Sequence, residues 1–262
     1  MKVIRKGPEP YEIGVVYCTH GDEVAGKKAV EKLLQNYSSF EKGVKFVFAN
    51  EKAYQQEKRY IDTDLNRSFP GNKNSDKYEE RIAAEIMEEL KDTEIVLDLH
   101  ETSVKPAPFA LYTWNTDKVF DALQKTGVEK AVEISYTPGC GINYYGGIEV
   151  ETGPKGTKKS RETAYKTLKQ YLKNYKVIDG EKNMGKPEIY SVYSKMDRPE
   201  GRWEIKAENF QKVQEDEVIA EKPENRIKAE EPFQPVLFDE SYSDIIGFKA
   251  VRLQKLERRL FK

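Results

Sequence analysis

The sequence predicts an α/β fold: a sheet with helices on its faces, followed by a smaller β-rich C-terminal domain. Over residues 1–178, short β-branched runs alternate with stretches of helical periodicity, the pattern of strands laid between covering helices. Beyond them, short Val, Ile and Tyr runs are separated by Pro, Gly, Asn and charged clusters. The 262 residues, 38% of them hydrophobic, suffice for one large domain or for a large and a small one.

Ile13 to Cys18 is an apolar run that reads as a buried strand, and it ends in Thr19-His20-Gly21-Asp22-Glu23. Ala25 to Gln35 has helical spacing, with Val30, Leu33 and Leu34 apolar, and Val44 to Ala49 reads as a second strand. Ser75 to Lys91 predicts an amphipathic helix through Ile82, Ala83, Ile86, Met87 and Leu90, with Ser75 or Asp76 as its cap. Strands are expected at Glu94–Leu99, Phe109–Trp114 and Gly146–Thr152, and helices at Lys118–Lys125 and Glu162–Tyr175. Gly180 to Pro187 reads as a linker, which divides the chain into a catalytic domain over 1–178 and a β-rich domain over 186–262. Ile189 to Leu253 carries the strands of the latter, with closure into a small barrel one option.

Forty-four Lys and Arg stand against forty-five Asp and Glu, a formal net charge of -1. Such a balance offers no overall field for nucleic acid or an anionic membrane, so neither partner is expected. No segment approaches the length of a transmembrane helix, and the polar stretch Met1 to Pro10 has no apolar signal-peptide core. A cytoplasmic protein is therefore expected, with homo-oligomerisation left open. Cys18 and Cys140 have no paired-cysteine spacing and read as small buried hydrophobes.

The only two histidines, His20 and His100, each follow a predicted strand, where open α/β sheets form their ligand crevice. His20 and Glu23 are close enough on a turn to face one metal ion. Two imidazoles and a carboxylate leave a fourth tetrahedral position of Zn²⁺ open, as a catalytic site requires. Asp98 precedes His100 by two residues on an extended strand, placed to accept its other ring N–H.

The surrounding motifs make a specific resemblance. Thr19-His20-Gly21-Asp22-Glu23 resembles the zinc motif of the succinylglutamate desuccinylase/aspartoacylase family, relatives of the zinc carboxypeptidases, with Asp22 where Asn is usual. Asp98-Leu99-His100-Glu101-Thr102 is similar to the segment carrying the third ligand, and Arg59-Tyr60-Ile61-Asp62-Thr63-Asp64-Leu65-Asn66-Arg67 to a stretch found in aspartoacylases. Glu151-Thr152-Gly153-Pro154 resembles the family's base motif, and Phe233 to Ala250 is more loosely similar to its closing segment. The resemblance implies a zinc carboxypeptidase-like mixed sheet flanked by helices. It also implies one zinc ion per chain held by His20, Glu23 and His100, with Glu151 as base and then acid. Glu149, two residues earlier on the same strand face, is its rival by periodicity. Arg59 resembles the oxyanion-stabilising arginine, Asn66 and Arg67 the pair that holds a substrate carboxylate, and Tyr242 a substrate-contacting tyrosine. Asp62 and Asp64 are expected to orient the arginines or cap turns.

One departure bears on the substrate. Mammalian-type aspartoacylases carry a further substrate-binding arginine shortly before the base motif, whereas Ser135 to Tyr145 contains none. Lys155, Lys158, Lys159 and Arg161 are alternative cations without a telling spacing. Gly139, Gly141 and the paired tyrosines suggest instead a compact, aromatic-walled pocket. The expected activity is zinc-dependent hydrolysis of the amide of an N-acylated amino acid or a similar small molecule. The alternatives are a metallocarboxypeptidase acting on peptides and a non-catalytic zinc-binding or ligand-sensing protein on the same fold.

Overall fold

The computed structural model describes residues 1–135 and 140–253; the expectation for Gly139 and the final residues of the 186–262 domain lie outside that range. Its first interior strand, β2 (Ile13–Tyr17), is buried along its whole length, as its unbroken apolar sequence requires. On one side β2 pairs in parallel with β3 (Val44–Phe48), and on the other with β4 (Ile95–His100). The chain order therefore reverses at β2, and the crevice beyond its carboxyl end lies between diverging connections. Next to β4 comes β7 (Gly147–Glu151), also parallel, and its register sets Glu151 directly opposite His100.

The sheet is mixed. β5 (Phe109–Tyr112) runs antiparallel to β7 and parallel to β6 (Lys130–Glu133). β6 in turn pairs in parallel with β8 (Glu188–Asp197), which continues antiparallel into β13 (Ile245–Arg252) and β12 (Gln234–Val236). At the opposite edge β1 (Lys2–Lys6) pairs antiparallel with β3, and ten strands result. The C-terminal stretch is thus divided. Three of its strands extend the main sheet, while β9 (Glu204–Ile205), β10 (Val218–Lys222) and β11 (Asn225–Lys228) form a separate antiparallel sheet of three strands.

Helices cover both faces. α1 (Ala25–Asn36), α4 (Asp117–Thr126) and α6 (Lys158–Asn174) bury Leu33, Leu123 and Leu168 against Val15, Leu97 and Ile148. On the other face α3 (Tyr78–Leu90) buries Ile82 and Ile86 against Val16, Val47 and Val96. Short helices α2 (Glu51–Gln55) and α5 (Ile142–Tyr145), and a 3₁₀ turn at Leu65–Arg67, lie near the strand ends. No helix among the described residues is long and apolar enough to cross a membrane.

Two helix starts differ from the sequence expectation. α3 begins at Tyr78, and neither Ser75 nor Asp76 caps it; its first N–H is taken by Asp62 Oδ2 at 2.7 Å, from a distant loop. α6 begins at Lys158 because Thr157 accepts the N–H of Ser160 at 3.0 Å, a local cap. Strand β1 was not foreseen either, since it is a mostly exposed, charged edge whose polarity hides its pairing.

Candidate active site

Each expected metal ligand stands at or just beyond a strand end. β2 closes on Cys18, which adopts the left-handed conformation at φ 53°, an uncommon state for a residue with a side chain. The chain then turns sharply through Thr19 and His20. Gly21 is required there: a Cβ would stand 2.3 Å from the backbone of Ala53 and Tyr54. That close approach lets Gly21 N–H donate to Arg59 O at 3.0 Å, which seats Arg59 beside the turn.

Glu23 is the hub. His20 Nδ1 lies 2.8 Å from its Oε1 and His100 Nδ1 3.0 Å from its Oε2, while Glu101 N–H donates to Oε2 at 3.0 Å. His20, Glu23 and His100 are all buried, and one ligand atom from each falls within 4.8 Å of the others. On its far side His20 Nε2 meets Asp64 Oδ1 at 3.0 Å. His100 Nε2 lies 3.2 Å from Asp98 Oδ2 but outside good hydrogen-bond alignment. Asp98 is itself held by Thr19 Oγ1 and by the Tyr145 hydroxyl at 2.9 Å. Each ring is thus backed by a carboxylate on Nε2 and presents Nδ1 inward, an orientation that suits metal ligation.

Burial disfavours a charged imidazole, yet Glu23 and Asp64 around His20, and Glu149 and Asp98 around His100, outweigh it and raise both pKa values. Burial alone would raise Glu23, but the two histidines pull it well below the usual carboxylate value. The triangle therefore favours positive charge at its centre, a condition that a divalent cation satisfies with these three donors.

A second group comes from the loop between α2 and α3. Glu79, completely buried in the first turn of α3, accepts the backbone N–H groups of Ile61 (2.6 Å), Asp62 (2.9 Å) and Thr63 (3.1 Å). It also accepts from Asn50 Nδ2 at 3.1 Å. This one carboxylate clamps the loop carrying Arg59, Asp64, Asn66 and Arg67. Asp64 caps the 3₁₀ turn through Asn66 N–H at 2.8 Å, and Arg59 Nη2 donates to its Oδ2 at 3.0 Å. Burial works against an ionised Asp64, but His20 and Arg59 hold its pKa well below the usual range. Arg59 Nη1 also reaches Glu23 Oε1 at 3.3 Å.

A cavity of about 360 Å³ gathers His20, Glu23, Arg59, Asn66, Arg67, His100, Glu151 and Tyr242 into one lining, together with Glu149, Cys140 and Lys155. Glu151 Oε2 is buried with no hydrogen-bond partner among the described residues. Burial first, and then neighbouring Glu149, push the Glu151 pKa well above the ordinary carboxyl value. Tyr242 is also raised, by burial and then by Glu151. Lys155 Nζ donates to Asp22 Oδ2 at 2.7 Å; Lys158, Lys159 and Arg161 do not line the cavity. Glu79, Glu101 and Cys140 were not expected at the site. No local signal marks Glu79, which acts on a loop twelve or more residues upstream. A roomier depression of about 1230 Å³ lies at the C-terminal β10–β11 hairpin, lined by Trp203 and charged side chains, and contains neither histidine.

A profile of the succinylglutamate desuccinylase/aspartoacylase catalytic domain matches residues 14–152, just over half of the chain. The chain belongs to this family. Among curated relatives, a probable aspartoacylase of Prochlorococcus marinus is 35% identical over 101 residues, a match covering 34% of each protein. The chain therefore spans about a third of the length of that relative. Solved structures extend the likeness in fold. A succinylglutamate desuccinylase/aspartoacylase from Rhodobacter sphaeroides superposes with a TM-score of 0.77 at 17% identity, over 96% of this chain and 88% of that one. Murine aminoacylase 3 does so with a TM-score of 0.74 at 19% identity, over 94% and 97%.

Proposed function

We propose that this family member is a zinc-dependent amidohydrolase that removes the acyl group from an N-acylated amino acid or a similar small amide. The observation that carries the reading is the convergence of His20 Nδ1, Glu23 and His100 Nδ1 in the cavity that Glu151, with its unpartnered oxygen, also lines, on the strand beside His100. His20, Glu23 and His100 would hold the zinc, which would supply a water of lowered pKa and polarise the amide carbonyl.

The remaining roles belong to the chain. Glu151, with no internal partner to satisfy, takes the proton of the attacking water and passes it to the departing amine. Its raised pKa suits it to hold that proton between the two transfers. Arg59, at the mouth beside Glu23, donates to the oxygen on which negative charge develops. Arg67 lines the cavity, donates to Asn66 O at 2.6 Å and makes no ion pair among the described residues, so its fork is available to a substrate carboxylate. Asn66 gives one Nδ2 proton to Glu149 and keeps the other for the same carboxylate. Tyr242 closes the cavity from the C-terminal part of the chain.

A cavity of about 360 Å³ favours a small acyl amino acid over an extended peptide. Amine release should be measured with the zinc-loaded protein on N-acetyl, N-succinyl and longer N-acyl amino acids and on blocked dipeptides. Hydrolysis of the first group above the dipeptides is expected. Faster cleavage of the dipeptides would make it a carboxypeptidase, and bound metal with no turnover on either panel a non-catalytic binding protein.

A further inference from the structure

We propose that Glu149 selects the amino acid this site accepts, favouring a side chain that ends in an ammonium or other N–H donor and turning away acidic ones. The inference rests on the deacylase reading above and names its substrate class.

Strand alternation places Glu149 on the same face of β7 as Glu151, one pleat deeper, with Asp98 and Leu111 as its register partners. Its side chain is buried and lines the cavity. Oε2 accepts from Asn66 Nδ2 at 3.2 Å and from Cys140 Sγ at 3.6 Å, and His100 Nε2 stands 3.7 Å away. These three contacts all fall on Oε2 and none on Oε1. The same cavity is also lined by Leu111, Ile134, Ile142 and Leu237.

Asn66 decides which part of the substrate meets this carboxyl. Its amide touches Glu149 directly and stands next to Arg67 at the carboxylate anchor, so Glu149 faces the amino-acid moiety and not the acyl group. The cations of the lining are already engaged. Arg59 pairs with Asp64 and Glu23, and Lys155 with Asp22, both at the metal end; Arg67 serves the main-chain carboxylate. A second carboxylate on the amino acid therefore finds no unengaged cation among the described lining residues and lies against the buried Glu149. An ammonium there gains a charge-assisted hydrogen bond. Without the arginine expected before Glu151, the pocket has the opposite polarity to one built for an acidic side chain.

Two measurements on the zinc-loaded full chain test this. The first is calorimetric binding of the free amino acids lysine, ornithine, norleucine and glutamate, which needs no turnover. The second is kcat/KM for their Nα-acetyl derivatives, in wild type and in Glu149→Gln. Lysine or ornithine should bind about tenfold or more tightly than norleucine, with glutamate weakest, as a hydrogen bond to a charged group implies. The kcat/KM ratios should follow that order, and Glu149→Gln should collapse both the cation-to-norleucine and the norleucine-to-glutamate ratios toward one. Glutamate binding as tightly as the cationic amino acids, or ratios unmoved in Glu149→Gln, overturns the proposal. Selective binding without hydrolysis of any derivative supports the selectivity and removes the deacylase reading instead.

Discussion

The two halves of the cavity are held in place by different means. His100 and Glu151 stand opposite each other at the ends of β4 and β7, where main-chain pairing sets their spacing, while His20 and Glu23 lie on the turn that follows β2. Arg59, Asp64, Asn66 and Arg67 ride on an irregular loop whose backbone is gathered by one buried side chain, Glu79. On the paired strands of the first half, a substitution at Glu151 removes a chemical group while the main-chain pairing leaves its neighbours in position. The second half depends on one carboxylate, and losing it displaces several functional groups at once.

The sharpest test of the strand half is Glu151→Gln. An amide of the same shape can neither take nor return the proton, so turnover should fall by about 10²–10⁴-fold while bound zinc, measured by elemental analysis, is retained. Wild-type turnover in this variant would remove Glu151 from the base role. In the loop half, Glu79→Ala strands three N–H donors and the Asn50 amide. It should cost roughly 3 kcal/mol in denaturant unfolding. It should also lower kcat/KM by about tenfold or more with zinc still bound, since displaced positioning groups weaken transition-state binding. Loss of zinc in Glu79→Ala, or a stability loss with unchanged kinetics, would break the proposed division between the halves.

A smaller effect follows from the raised pKa of Glu151. In the proposed base role its working form is the carboxylate, so kcat/KM should rise with pH on a limb lying above the ordinary glutamate value of about 4.3. Stability runs the other way. A carboxyl with a raised folded pKa contributes fully below its unfolded value, and that contribution is lost as pH rises through the folded one. Glu151→Gln should therefore melt near wild type at acidic pH and a few degrees higher at alkaline pH, roughly 2–4 °C for each kcal/mol. A gap that narrows as pH rises would contradict the assigned direction.

The strand half was largely legible in the sequence, because an apolar run followed by His20 or His100 states both the strand and where it ends. Glu151 was legible only through its motif, since periodicity alone could not separate it from Glu149. The structure puts both in the cavity, in different surroundings. The loop half was legible in content but not in support. Asp64 orients Arg59 as expected, whereas the Glu79 clamp and the Asp62 contact at the start of α3 join segments that no local pattern connects. The β-rich stretch after β8 was visible as strands, but their partners were not. The pairing of β8 with β6, and of β13 with β8, is a property of the assembled sheet, and the same apolar runs would serve a separate barrel equally well.

The pairing of His100 with Glu151 has one more consequence. Neighbouring strands lie about 4.8 Å apart whatever their side chains. The gap between His100 and Glu151 is therefore a gauge set by main-chain hydrogen bonding, indifferent to the loops that shape the rest of the cavity. Under the proposed roles, substitutions at Glu149 or Arg67 would alter specificity without moving that gauge. A slip of β7 by two residues would instead bring Glu149 opposite His100, exchanging the places of the proposed selector and the proposed base in a single step.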